Sequence, residues 1–185
     1  MLQKVYQDLG HKMDKAAEVL KNEFAGIRTG RANPALLDGI KVLCYGALTP
    51  LNQVAGVSVP ESRLLLIQPW DKSVLGEIEK AILKSDLGLT PANDGKVIRL
   101  PIPTLTEERR HDLVKVVRKM AEESKVAVRN IRRESNEEVK KLEKDKKISE
   151  DESKTAHDKV QEMTDKHIAQ LEELLKKKEK EIMEV

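Results

Sequence analysis

TEERRHDLVKVVRKMAEESKVAVRNIRRESNEEVKKLEK, residues 106–144, decides the fold. Leu113, Val117, Met120, Ser124, Val128, Ile131, Ser135, Val139 and Leu142 recur at spacings of three and four, the signature of one apolar face on an unbroken helix. Pro101 and Pro103 forbid helix just upstream. Thr106 can cap the free N–H groups, and Glu107 and Glu108 suit the positive end of the dipole. At about 1.5 Å per residue the run makes a rod of roughly 58 Å. A helix this long with so narrow an apolar face is not stable alone in water; it must pack against others.

Two further stripes supply the partners. Downstream, Ser149 opens a helix with Glu152 as its capping-box residue, and Val160, Met163, His167, Leu171, Leu174, Leu175 and Ile182 carry its apolar face. The break around Asp145 to Ile148 is short, so these two helices are antiparallel neighbours. Upstream, Tyr6, Leu9, Met13, Ala16, Leu20, Phe24 and Ile27 keep the same spacing, and Gly30 offers a stop. The expected architecture is α+β but mostly helical: an antiparallel three-helix bundle from residues 1–30 and 106–185, interrupted by a small inserted α/β-sandwich domain over 31–105.

The insertion differs in composition, holding all seven prolines and most of the glycines. Ile40–Tyr45, Arg63–Ile67 and Lys96–Ile102 read as strands, Asn93-Asp94-Gly95 as a turn, and Ser73 to Ser85 as its one helix. Two chain crossings attach it, Thr29-Gly30-Arg31 and Pro103-Thr104-Leu105, and these make a two-strand hinge. Gly30 supplies freedom there, while the prolines keep the return strand extended.

Composition removes several function classes. Lys+Arg 34 against Asp+Glu 32 leaves only +2, so nucleic-acid affinity must come from clustering of cations and not from bulk charge. Aromatics are only Phe24, Trp70, Tyr6 and Tyr45, too few for a base-stacking platform. Cys44 can form no internal disulfide and reads as a small buried hydrophobe, which with a signal-free N-terminus points to the cytoplasm. No apolar run approaches the ~20 residues needed to span a bilayer. No enzyme chemistry is legible: there is no phosphate loop and no G-x-G-x-x-G after a strand. His11, His111, His157 and His167 lack the spacing of a helical metal pair, and His167 reads as a packed core residue. No catalytic residue, metal or cofactor is expected.

The notable constellation is KVAVRNIRR, residues 125–133: four cations in nine residues with no acid between them. On a helical wheel Lys125, Arg129, Arg132 and Arg133 all fall in one sector around Arg118. Lys125 and Arg132 lie on the side of that sector nearer the apolar stripe, Arg129 and Arg133 on the side away from it. The stripe itself centres about a third of a turn from Arg118, which predicts a cationic ridge on the solvent side of the rod. Ordinary exposed faces interleave signs, as Glu137, Glu138, Lys140 and Lys141 do. The planar fork of arginine suits phosphate, and a ridge without aromatics reads the backbone shape of structured RNA. Arg28 and Arg31 at the end of the first helix, and Arg109 and Arg110 at the start of the second, form two smaller clusters.

IRTGRANPALL (27–37), SDLGL (85–89), LTEERR (105–110), VAVRNIRR (126–133) and ISEDE (148–152) resemble the signature segments of ribosome recycling factors, in order and over the whole chain. The resemblance implies a near-L-shaped, monomeric, non-enzymatic translation factor. In that family the bundle binds large-subunit ribosomal RNA. Elongation factor G, which itself uses GTP, rearranges the inserted domain, the subunits separate, and an initiation factor keeps them apart. Carried over by position, Arg132 is the first choice for the RNA contact, followed by Arg129 and Arg133, then Arg110, Arg28 and Arg31, with Lys125 on the same ridge. Leu43-Cys44-Tyr45 departs from the pattern, since many members have an acid and a second tyrosine there. Two other classes compete: a helical holdase presenting an apolar seam to clients, which the narrow, mutually coverable stripes oppose, and a hydrolase.

Overall fold

Three long helices dominate the computed structural model, which describes residues 1–184: α1 (Leu2–Ala25), α4 (Glu107–Lys144) and α5 (Glu150–Met183). Between them lie β1 (Lys41–Cys44), β2 (Ala47–Pro50), the single turn α2 (Leu51–Val54), β3 (Ala55–Glu61), β4 (Leu64–Pro69), α3 (Leu75–Lys84), β5 (Ala92–Asn93) and β6 (Ile98–Pro101). The chain divides into two compact units, Met1–Ala25 with Glu108–Val185, and Gly26–Glu107.

In the first unit each helix buries the stripe its sequence carries. Leu9 and Met13 of α1, Val117, Val128 and Val139 of α4, and Val160, Leu171 and Ile182 of α5 are wholly buried. Contacts advance together along α1 and α5: Val5 clusters with Ala156, and Asp14 with His167. Those two helices therefore run the same way, with α4 antiparallel to both. His167 sits in the core as expected, with Nδ1 on the Met163 carbonyl (2.7 Å) and Nε2 on Asp14 (2.8 Å), so it ties α5 to α1.

The α4–α5 turn is closed by local hydrogen bonds. Lys147 N–H donates to the Leu142 carbonyl and Lys146 N–H to that of Glu143, while Lys146 adopts φ +55°. This is the paired C-terminal motif in which glycine is commonest. Two residues later Ser149 and Glu152 form the complete capping box. The Ser149 N–H and hydroxyl hold the Glu152 carboxyl below its ordinary value. Its support for the helix start is therefore present at neutral pH and fades as pH falls through that lowered value.

The second unit has its own core. A four-stranded antiparallel sheet in the order β3-β4-β6-β5 pairs Leu65 with Leu100 and Ile67 with Ile98, all four fully buried. Ile78 and Ile82 of α3 and Val42 of the β1–β2 hairpin belong to the same core. The strands expected from sequence are β1, β4 and β6; β2, β3 and β5 are additional. Most side chains of β2, the end of β3 and both of β5 are exposed, so they carry little apolar alternation to read.

The unit boundaries fall at Ala25/Gly26 and Glu107/Glu108, outside the segments expected to form the hinge. Thr29–Arg31 and Pro103–Leu105 both lie within the second unit, where Thr29 is buried. Gly30, at φ +78°, lies against Leu105 so closely that an added Cβ would sit 3.4 Å from its side chain. Packing of the two crossing strands on one another draws both into the sheet unit.

Candidate nucleic-acid interface

Heptad spacing places Arg118, Lys125 and Arg132 in one row along α4, and Glu179, Glu172 and Asp165 in a matching row on α5. Because the helices are antiparallel, the rows meet. Arg118 Nε donates to Glu179, and Lys125 Nζ lies 3.1 Å from Glu172. The Glu179 hydrogen bond and charge raise the Arg118 guanidinium above its already high value. At the third position Arg132 Nη1 donates to Gln161 Oε1 (2.9 Å), and Gln161 Nε2 donates to Asp165 (2.8 Å). One turn further, Asn136 Oδ1 meets His157 Nδ1 at 2.8 Å.

This corrects the expected solvent-side ridge. Lys125 has a side chain only 15% exposed, and Arg132 is half-buried with its Nε enclosed and without a hydrogen-bond partner among the described residues. The helical-wheel reading allowed α4 a single covered stripe. A helix in a three-helix bundle faces two neighbours, so its covered sector widens to take in the side of the wheel where Lys125 and Arg132 lie. The ridge is thus split into a seam row and an outer row. The outer row holds Arg129, paired with Glu122 at 3.0 Å, and Arg133, which is exposed and has no hydrogen bond or ion pair among the described residues.

Pairing does not disqualify these groups. Arg129 and Glu122 keep 42% and 57% of their side-chain exposure, and open pairs of this kind hold little net energy, so an incoming phosphate can displace the carboxylate. Arg132 has a neutral partner and keeps its charge. Lys125 is the weakest candidate, since its ammonium is enclosed against a carboxylate.

Elsewhere the anticipated residues are dispersed. Arg110 is half-buried at the start of α4, with Nε enclosed and lacking a hydrogen-bond partner among the described residues. Arg28, beyond the end of α1, donates to the carbonyls of Asp86 and Leu87 and so clasps the chain leaving α3. Arg31 is exposed. Gln161, Asp165, Glu172 and Glu179 escape a reading of single helices, although their heptad spacing opposite Arg118, Lys125 and Arg132 is legible once α4 and α5 are antiparallel. Among the described residues no group of His, Cys, Asp and Glu could hold a metal ion, and no helix is long and apolar enough to cross a membrane.

Comparison with known proteins converges on one family. The family model described as ribosome recycling factor matches residues 20–183. Ribosome-recycling factors of Shouchella clausii and Carboxydothermus hydrogenoformans are each 60% identical over 185 residues, covering all of both chains. A solution structure of a ribosome recycling factor superposes with a TM-score of 0.79 at 46% identity, over 100% of this chain and 98% of that one. The T. thermophilus factor, from models with E. coli elongation factor G on the E. coli post-termination complex, gives 0.67 at 52% identity over the full length of both. A bundle and sheet unit of this kind, matched from end to end by ribosome-recycling factors, make this chain a member of the ribosome recycling factor family.

Proposed function

We propose that this chain disassembles the post-termination ribosome together with elongation factor G and GTP, freeing the subunits for a new round of protein synthesis. Full-length similarity at 60% identity to named recycling factors supports the reading most strongly. The helical unit grips large-subunit ribosomal RNA through Arg129, Arg132 and Arg133, with Arg110 of the same unit, and Arg28 and Arg31 of the sheet unit, as further cations. The nucleotide belongs to elongation factor G, and this chain needs no cofactor of its own. It acts as a cytoplasmic monomer, since each apolar stripe of the bundle is covered by the other two helices.

Light scattering of post-termination complexes tests this directly. Subunits should separate only when the chain, elongation factor G and GTP are all present. Stable association without any separation would overturn the reading.

The sheet unit moves as a body on the two chain crossings near Gly26 and Glu107, a reading supported by each unit having its own core. A reversible cross-link between the units should therefore spare ribosome binding and abolish separation until it is cleaved. Unaltered separation by the locked protein would refute the hinge.

A further inference from the structure

One rung of the α4–α5 ladder is chemically unlike the others. Arg118 and Lys125 meet carboxylates, but Arg132 meets an amide, although Asp165 occupies the heptad position that matches Glu172 and Glu179. Gln161 is held from both ends: its Oε1 accepts from Arg132 at 2.9 Å and its Nε2 donates to Asp165 at 2.8 Å. The order cannot be reversed, because a guanidinium has no acceptor and a carboxylate no donor. The amide therefore stands between a cation and the anion that would otherwise neutralise it. Arg132 Nη2 makes no hydrogen bond among the described residues, while Nε is enclosed, so the free edge of the fork has one direction in which to find a partner.

We propose that Gln161 is a positioning residue for Arg132. It holds the guanidinium at the seam by a neutral hydrogen bond and keeps Asp165 from pairing with it, so that Arg132 meets ribosomal phosphate with its charge intact. An ion pair at this rung would join α4 to α5, as Lys125–Glu172 does, and would cost the charge to the RNA. The inference rests on the proposed rRNA contact of Arg132.

The test is binding to purified large ribosomal subunits across a salt series, with melting curves for every variant. Arg132→Ala should weaken binding about tenfold, the value of one charge-assisted hydrogen bond, and reduce the log–log salt slope by about 0.9. Gln161→Glu, which puts a carboxylate on the guanidinium, should do the same with Arg132 still present. Gln161→Ala should weaken binding severalfold by letting Asp165 approach, and Gln161→Ala with Asp165→Asn should recover most of that loss. A merely structural glutamine would not show this rescue or move the slope. If Arg132→Ala changes neither affinity nor slope, the rRNA contact itself fails. If Arg132→Ala behaves as stated but Gln161→Glu and Gln161→Ala bind like the parent, the contact stands and the positioning role is wrong. Should Gln161→Glu melt early, the alanine variant decides the matter, and its loss without rescue by Asp165→Asn overturns the proposal.

Discussion

Replacing Arg129, Arg132 and Arg133 together by alanine is expected to lower the affinity for large ribosomal subunits by about a thousandfold at low salt, at roughly tenfold per lost charge-assisted contact. The salt dependence is the sharper signature. If the parent neutralises about four phosphates, binding falls roughly a hundredfold between about 50 and 200 mM salt; with one contact left, it falls only about threefold to fourfold. Stability should hardly change. Arg133 has no partner to lose among the described residues, the Arg129–Glu122 pair is open to solvent, and Arg132 gives up one hydrogen bond to a neutral amide. Helical CD and the melting curve of the triple variant check this. Parent-like affinity with an undiminished slope would remove the arginines from the interface. Early melting would make them components of the fold.

The same arginines mark where sequence reasoning stops. The apolar stripes of α1, α4 and α5 are strong periodic signals over 24, 38 and 34 residues, and the burial of Val117, Val128, Val160 and Leu171 follows them. The Ser149–Glu152 box is legible because its chemistry is local. The Lys146 turn is not, since a lysine stands where glycine would signal the left-handed residue. A helical wheel gives each α4 side chain an angle but not the width of the covered sector, which depends on how many helices pack around it. Lys125 and Arg132, at the margin of that sector, are therefore placed in solvent by the wheel and found in the seam. The clasp made by Arg28 is hidden for a similar reason: its partners, the carbonyls of Asp86 and Leu87, are 58 and 59 residues away in the chain. An isolated long-range hydrogen bond of this kind leaves no periodic trace.

Val128→Asp is expected to unfold the helical unit and leave the sheet unit folded. Val128 is wholly buried in the middle of α4, so a carboxylate there would be taken out of water, and the cations on the adjacent turns, Lys125 and Arg132, are already held by Glu172 and Gln161. Enclosing an unpaired charge costs several kcal/mol even after relaxation, comparable with the whole stability of about 5–15 kcal/mol of an ordinary domain. The helices cannot survive separately, because isolated amphipathic rods draw most of their stability from packing. The sheet unit has an independent core in Leu65, Ile67, Ile78, Ile82, Ile98 and Leu100, none of which the substitution touches. Far-UV CD should therefore lose most of its helical signal, since α3 contributes only 10 residues beside the three long helices. Dispersed amide resonances from β3, β4 and β6 should persist. Their simultaneous disappearance would mean that the two units fold as one, and a hinge between bodies of independent stability would then have no thermodynamic footing. Persistence, together with loss of ribosome binding, would show that the RNA grip requires the bundle, because the sheet unit would be present, folded and unable to bind by itself.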